Sequence, residues 1–219
     1  MIKKALIDND GILFEHRRGM VKYIAQILGK PLTETFLDHF YQTTLSMDDG
    51  ELINAFSSPE KNLHQLLNSD SHDSFAADVT IYEKVREGLV LLKQSGFITY
   101  LVTARTERMR EITKDALVRH HLIGYIDVIF MRQDINMSSP NFKSETAVAI
   151  GITHAFEDTF LNLAAVAEKC PSLQKAYLVN QPWNKKHEED ELYPTRYAPI
   201  ERMESFHHAA LDAVATLKK

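Results

Sequence analysis

The sequence predicts an α/β fold, a three-layer Rossmann-like parallel sheet with a helical cap inserted after the first strand. Beyond residue 99, short apolar runs alternate with amphipathic helical segments, the pattern of a parallel sheet joined by crossover helices. An earlier apolar run at residues 4–8 reads as a strand of the same sheet, yet about ninety residues separate it from the next, far beyond an ordinary crossover. That interval carries apolar residues at helical spacing, so it is expected to be an insertion with structure of its own.

In chain order, the strand at 4–8 leads into predicted helices at 20–28, 34–43, 49–56 and 59–67, with Thr33 and Ser58 placed as N-caps. The polar stretch 68–73 is the linker candidate. A helix at 81–94 then returns through Ser95-Gly96 to a strand at 99–104. Strands at 126–131, 154–157 and 176–179 follow, short and mostly rich in β-branched or aromatic residues. Helices at 107–120, 144–150 and 160–169 fill the gaps, and an amphipathic helix at 205–217 closes the chain. The expected organisation is a core of residues 1–14 and 81–219 with an α-helical cap of residues 15–80.

Composition narrows the function. The 219 residues allow one large domain or one domain with an insertion. Hydrophobic residues at 44% and charged residues at 25% argue against a fibre, a disordered chain or a membrane span. Twenty-five basic against 30 acidic residues leave a net charge of -5, a poor footprint for a nucleic acid polymer but no obstacle to a small anion in a local pocket. The one cysteine, Cys170, has no partner for an internal disulfide and reads as a buried thiol. The N-terminal run reaches Asp8 too soon for a signal peptide, and no later run nears the ~20 apolar residues of a span. A cytoplasmic protein without a membrane partner is expected; the oligomeric state is not legible.

The chemistry gathers at strand ends. Asp8-Asn9-Asp10-Gly11-Ile12-Leu13 follows the first strand, and residues two apart on an extended segment project to the same side. Asp8 and Asp10 can therefore both face the crevice beyond the carboxyl end of the sheet, where open α/β folds bind ligands. Their mutual repulsion is relieved by a hard divalent ion such as Mg²⁺; a plain Asn-Asp-Gly turn is the competing reading. Thr103, Ala104 and Arg105 end the second sheet strand with a hydroxyl and a guanidinium suited to phosphate oxygens, though Thr103 also suits a helix N-cap. Lys143 stands just before the predicted helix at 144, where the helix dipole does not favour a cation, so it is either a ligand group or a solvated loop lysine. Glu157 and Asp158 end an apolar strand, able to complete an ion's ligand set or simply to open the next helix. All four groups fall on one rim of one sheet.

That ordered set resembles the haloacid dehalogenase-like hydrolase superfamily, with its Asp-x-Asp-Gly strand end, its Thr or Ser, its Lys before a helix and its late acidic pair. The resemblance covers residues 1 to 14 and 81 to 182, and the helical insertion matches the family's cap. Ile12 stands where Thr is commonest, and Glu157 replaces an Asp. Thr103-Ala104-Arg105 and Asn180-Gln181-Pro182-Trp183-Asn184 are similar to the 5′(3′)-deoxyribonucleotidase-like branch; a Pro-Asn loop with Trp183 packed on the sheet explains the second equally well.

The resemblance implies a Mg²⁺-dependent phosphomonoesterase acting through an aspartyl-phosphate. Asp8 is then the nucleophile and Asp10 the acid and base. Asp8, the Asp10 carbonyl and Asp158, with help from Glu157, hold the metal, while Thr103, Ala104, Arg105 and Lys143 hold the phosphate. A small phosphorylated metabolite is the expected partner, a nucleoside monophosphate if the branch is right, with its base on Phe14, Phe40 or Tyr41. The alternatives are a receiver-like signalling protein or a phospho-ligand binder without turnover; Lys143 before Glu157-Asp158, together with the insertion, is foreign to a receiver. The pairs His120-His121 and His207-His208 read as solvated or half-buried, the acidic run 188–191 as solvent-facing, and Arg17 and Arg18 as anion ligands or surface hinge residues.

Overall fold

A computed structural model of the chain describes residues 2–44, 47, 49–57, 79–134, 136–184 and 198–218. The expected helix at 59–67, its cap Ser58, the linker at 68–73 and the acidic run 188–191 lie outside the described residues.

Six parallel strands form the central sheet: β1 (Lys3–Ile7), β4 (Phe97–Thr106), β5 (Val128–Arg132), β6 (His154–Glu157), β7 (Lys175–Val179) and β8 (Ile200–Met203), in the order β5-β4-β1-β6-β7-β8. The alternation of side chains along β1 divides the core. Ala5 and Ile7 face the helices α4 (Val85–Gln94), α5 (Arg110–Arg119) and α8 (Phe206–Ala215), through Leu89, Leu117 and Phe206 among others. Leu6 faces α6 (Ser139–Ile150) and α7 (Phe160–Lys169), through Ala147, Leu163 and Val166. Helices therefore cover both faces, which is why the central strands carry continuous apolar runs such as Ala5-Leu6-Ile7 rather than an alternating pattern. Cys170 is a buried free thiol in the second of these clusters.

The chain leaves β1 in the middle of the sheet, builds β4 and β5 on one side, then crosses to β6, β7 and β8 on the other. Such a reversal opens a crevice at the carboxyl ends of the strands. Asp8 and Glu157-Asp158 fall at or beyond those ends, and Thr103 lies near the carboxyl end of β4, level with the chain just past β1.

After β1 the chain turns back on itself, with the Leu13 and Phe14 amides donating to the Asn9 carbonyl. It then enters the insertion through β2 (Phe14–Glu15), which pairs antiparallel with β3 (Thr80–Ile81) on the way out. Between them, α1 (Arg17–Ile27), α2 (Glu34–Thr44) and α3 (Asp49–Phe56) share an apolar cluster that includes Met20, Ile24, Phe40 and Leu52. Thr33 caps α2 weakly, its hydroxyl accepting from the Phe36 amide at 3.4 Å.

Four expectations need correcting. The helix expected at 81–94 begins at Val85, because Thr80 and Ile81 are paired in the stem ribbon. The helix expected at 144–150 begins at Ser139, with Pro140 in its first turn, where a missing N–H is tolerated. The strand expected at 99–104 runs from Phe97 to Thr106, so Thr103 is a strand residue rather than a cap. Strand β8 was not anticipated: Ile-Glu-Arg-Met carries charged residues at its centre, which an edge strand tolerates.

Candidate active site

The site forms where β1 and β6 end side by side. Ile7 pairs with Phe156, and the Asp8 amide continues the ladder by donating to the Phe156 carbonyl at 3.1 Å. This register sets Asp8 beside Glu157 and Asp158. Carboxylate oxygens of all three approach within 4.8 Å of one another, and all three residues are buried.

Lys143 joins them from the second turn of α6. Its Nζ lies 2.8 Å from Asp8 Oδ1 and 2.6 Å from Glu157 Oε2, at 1% exposure. The expectation that it precedes the helix is therefore wrong in position, and its helical setting supplies the rigidity that a loop would lack. Burial alone would lower the ammonium pKa, but the Asp8 and Glu157 carboxylates more than offset this and raise it.

One lysine does not balance three buried carboxylates. If all ionise, the group carries two uncompensated negative charges. Burial, then repulsion from Glu157, pushes Asp8 well above the usual carboxylate range. Burial, then Asp8, raises Asp158 to about 6, and burial also raises Glu157. Such a cluster of oxygen donors fits a hard divalent cation, whose charge would restore the ionised forms. Glu157 is the least available member: besides Lys143, it accepts from the Thr159 amide at 3.2 Å and from Asn162 Nδ2 at 3.3 Å, both on Oε1.

Asp10 is held apart from this group. Its two oxygens face Arg105, with Nε 2.8 Å from Oδ2 and Nη2 2.6 Å from Oδ1, while Arg105 Nη1 donates to Thr113 at 3.2 Å. Burial would raise the Asp10 pKa, but Arg105, His16 and Asn9 outweigh it and hold the carboxyl below its ordinary value. Arg105, expected among phosphate-holding groups, thus has its guanidinium committed to Asp10 and Thr113. Thr103 is buried at the same rim, its Oγ1 accepting from the Arg105 amide at 3.2 Å. Half-buried Ala104 lies in the segment where the β4–β5 register shifts, between Thr103 and Thr106. The helix N-terminus expected to follow Thr103 lies farther on, since α5 begins at Arg110.

A family model described as haloacid dehalogenase-like hydrolase matches residues 5–149, about two-thirds of the chain, from within β1 to near the end of α6. The chain belongs to the haloacid dehalogenase-like hydrolases. No curated protein matches it in sequence. Among solved structures, a haloacid dehalogenase-like hydrolase from Streptococcus pneumoniae is similar over 99% of this chain and 98% of its own, at 14% identity and a TM-score of 0.65. CbbY from Rhodobacter sphaeroides, in complex with phosphate, is similar over 97% and 100%, at 19% identity and a TM-score of 0.58. A phosphatase of the family from Thermococcus onnurineus is similar over 96% and 97%, at 14% identity and a TM-score of 0.57. At these identities the likeness speaks for the haloacid dehalogenase-like fold.

Several residues near this hydrolase site were not legible as such in the sequence. Trp183 is buried, and its indole Nε1 donates to Asp158 Oδ2 at 2.8 Å. Asn184 Nδ2 donates to the Asp158 carbonyl at 2.8 Å, and Gln181 Nε2 to the Gly11 carbonyl at 2.6 Å. Arg17 is fully buried, its guanidinium 4.7 Å from the Trp183 ring centre, whereas Arg18 is exposed and paired with Asp38. The one available signal was a lone tryptophan inside a Pro-Asn loop. Of the proposed base-stacking residues, Phe14 is in the core against His120, and Phe40 is in the insertion's own core against Phe36 and Phe56. Tyr41 alone borders open space, a cavity of about 260 Å³ lined also by Glu15, Arg18, Lys22 and Thr80. His120 and His207 are half-buried, and His121 and His208 exposed, away from the cluster.

Proposed function

We propose that the protein is a Mg²⁺-dependent phosphomonoesterase that acts on a small phosphorylated metabolite through an aspartyl-phosphate on Asp8. The observation that carries the reading is the joint arrangement of Asp8, Lys143 and Asp158 beside a separate, arginine-held Asp10. Asp8, the Asp10 carbonyl and Asp158 would hold the metal, with Glu157 acting chiefly as the anchor of Lys143. Bound there, Mg²⁺ supplies charge neutralisation for a carboxylate facing a phosphate dianion.

Asp8 attacks phosphorus and expels the leaving alcohol, which splits one difficult displacement into two easier ones. Asp10 serves as general acid to that alcohol, then as general base to water in the second step. Its depressed pKa leaves it ionised at rest and so free to accept a proton; for the acid role the proton arrives with a substrate monoanion or follows opening of the Arg105 pair. Lys143, already 2.8 Å from Asp8, and Thr103 receive the phosphoryl oxygens, where charge gathers in the transition state. The presence of Asp10 favours phosphate chemistry over dehalogenation, which has no need of an acid there.

A nucleoside monophosphate is the proposed substrate class, on the resemblance of Thr103-Ala104-Arg105 and Gln181-Pro182-Trp183-Asn184. With Phe14 and Phe40 taken up in cores, Tyr41 is the remaining candidate for the base. Phosphate release from an aryl phosphate with and without Mg²⁺ tests the activity; binding without release would favour the non-catalytic alternative. A panel of nucleotides and sugar phosphates compared by kcat/KM tests the substrate. Faster turnover of any sugar or glycolate-type phosphate than of every nucleoside monophosphate would remove the nucleotidase assignment and keep the phosphatase one.

A further inference from the structure

We propose that Trp183 is a positioning residue that sets the metal affinity of the site: its indole N–H fixes the orientation of the Asp158 carboxylate. The inference rests on the reading that Asp158 helps to hold Mg²⁺.

An aspartate side chain turns freely about its last torsion, a broad two-fold rotor, and a metal ligand left in that state loses freedom on binding. Here the rotor is stopped. Oδ2 accepts the indole N–H at 2.8 Å, a far shorter contact than the 3.4 Å one between the Thr159 hydroxyl and Oδ1. The backbone is held as well, through the 2.8 Å bond from Asn184 to the Asp158 carbonyl, and Asn184 is itself tied to the Val179 carbonyl at 2.7 Å. Gln181 bonds the same loop to Gly11 at 2.6 Å. A Cβ on Gly11 would stand 2.1 Å from Asp158 Oδ2, so the oxygen can take the position that the indole fixes only because residue 11 has no side chain.

The indole is in turn pinned from the insertion. Arg17, at the start of α1, stacks on its ring at 4.7 Å, and the His16 ring meets it edge-on at 6.2 Å. Arg17 is fully buried and Trp183 is 5% exposed, so the bond to Asp158 is made where water does not compete. A tryptophan kept only for packing would satisfy its N–H on any nearby carbonyl; this one is satisfied by a member of the acidic cluster. Outer-shell donors of this kind typically change metal affinity by about 10- to 100-fold.

The test uses the full chain. Calorimetric titration with Mg²⁺ compares the wild type, Trp183→Phe, and protein in which the single tryptophan is replaced by its benzothienyl analogue, which keeps the bicyclic shape and lacks the N–H. Both altered proteins should bind Mg²⁺ roughly 10- to 100-fold more weakly. Their aryl-phosphatase activity should recover toward the wild-type kcat as Mg²⁺ is raised, a rescue that lost packing would not allow. Tryptophan emission, which reports this one residue, should change on adding Mg²⁺ to the wild type and not to Asp158→Asn. An unchanged Mg²⁺ affinity in the folded benzothienyl protein overturns the proposal alone. No Mg²⁺ binding by the wild type overturns the metal reading and the proposal with it.

Discussion

Asp8 and Asp10 stand two residues apart yet meet opposite electrostatic environments. Asp8 sits among acids with one lysine, and Asp10 faces a bidentate arginine. Their substitutions should therefore fail differently. Asp8→Asn removes the proposed nucleophile, and no phosphate release and no phosphoenzyme should be detectable with any ester. Asp10→Asn should lose about 10² to 10⁴ in kcat on alkyl phosphates, the usual worth of proton transfer, and less on an aryl phosphate whose leaving group needs little help. It should also accumulate phosphoenzyme, visible by rapid acid quench. Equal residual rates of the two variants on an aryl phosphate would count against this division. The pairing of Asp10 with Arg105 was not legible in the sequence, where Arg105 reads as a phosphate ligand. Ninety-five positions separate the two residues, and only the β1–β4 pairing brings them together.

Two elements make close contacts whose consequences can be measured. Gly88 lies in α4 where it packs on α8, and a Cβ there would stand 2.9 Å from the Phe206 ring. In an exposed helix, Gly→Ala gains about 1 kcal/mol, but overpacking costs about 1–3 kcal/mol. Gly88→Ala should therefore lower the thermal midpoint by roughly 2–4 °C, read by circular dichroism. On β6, His154 is 1% exposed, edge-on to Phe97 at 5.0 Å. Burial, then Lys175 and Lys3, pushes its pKa down to about 4. The unfolded chain, with a histidine pKa near ~6.5, binds the proton more readily, so this contribution to stability is present above that pH and is lost as the pH falls toward 4. At most it amounts to roughly 3 kcal/mol. The urea midpoint should consequently fall less between pH 7.5 and 4.5 in His154→Phe than in the wild type; equal falls would refute the buried neutral state. The elements themselves were legible where periodicity ran long, as in α7, and illegible where pairing decided, as in the β2–β3 stem and β8.

For the whole molecule, an acidic cluster buried at the carboxyl ends of the two central strands would tie the proposed metal binding to folding. A ligand that binds only the folded state at 100 times its Kd adds about 2.7 kcal/mol. Saturating Mg²⁺ should raise the thermal midpoint, EDTA should reverse the rise and abolish phosphate release, and Asp158→Asn should show no rise. Full activity in a metal-free preparation would refute the metal requirement. No helix among the described residues is long and apolar enough to cross a membrane. The sequence by itself determined the α/β class, the helical nature of the insertion through α1 to α3 and the strand-end positions of Asp8, Glu157 and Asp158, because apolar periodicity and strand-ending polar residues are local properties. Tertiary structure alone decided that Lys143 reaches Asp8 from within a helix, that Arg105 holds Asp10, that Phe14 and Phe40 are core residues and that Trp183 grips Asp158. The contacts of Lys143, Arg105 and Trp183 join segments distant in the chain, and their distances depend on strand register and helix packing, which no local pattern encodes.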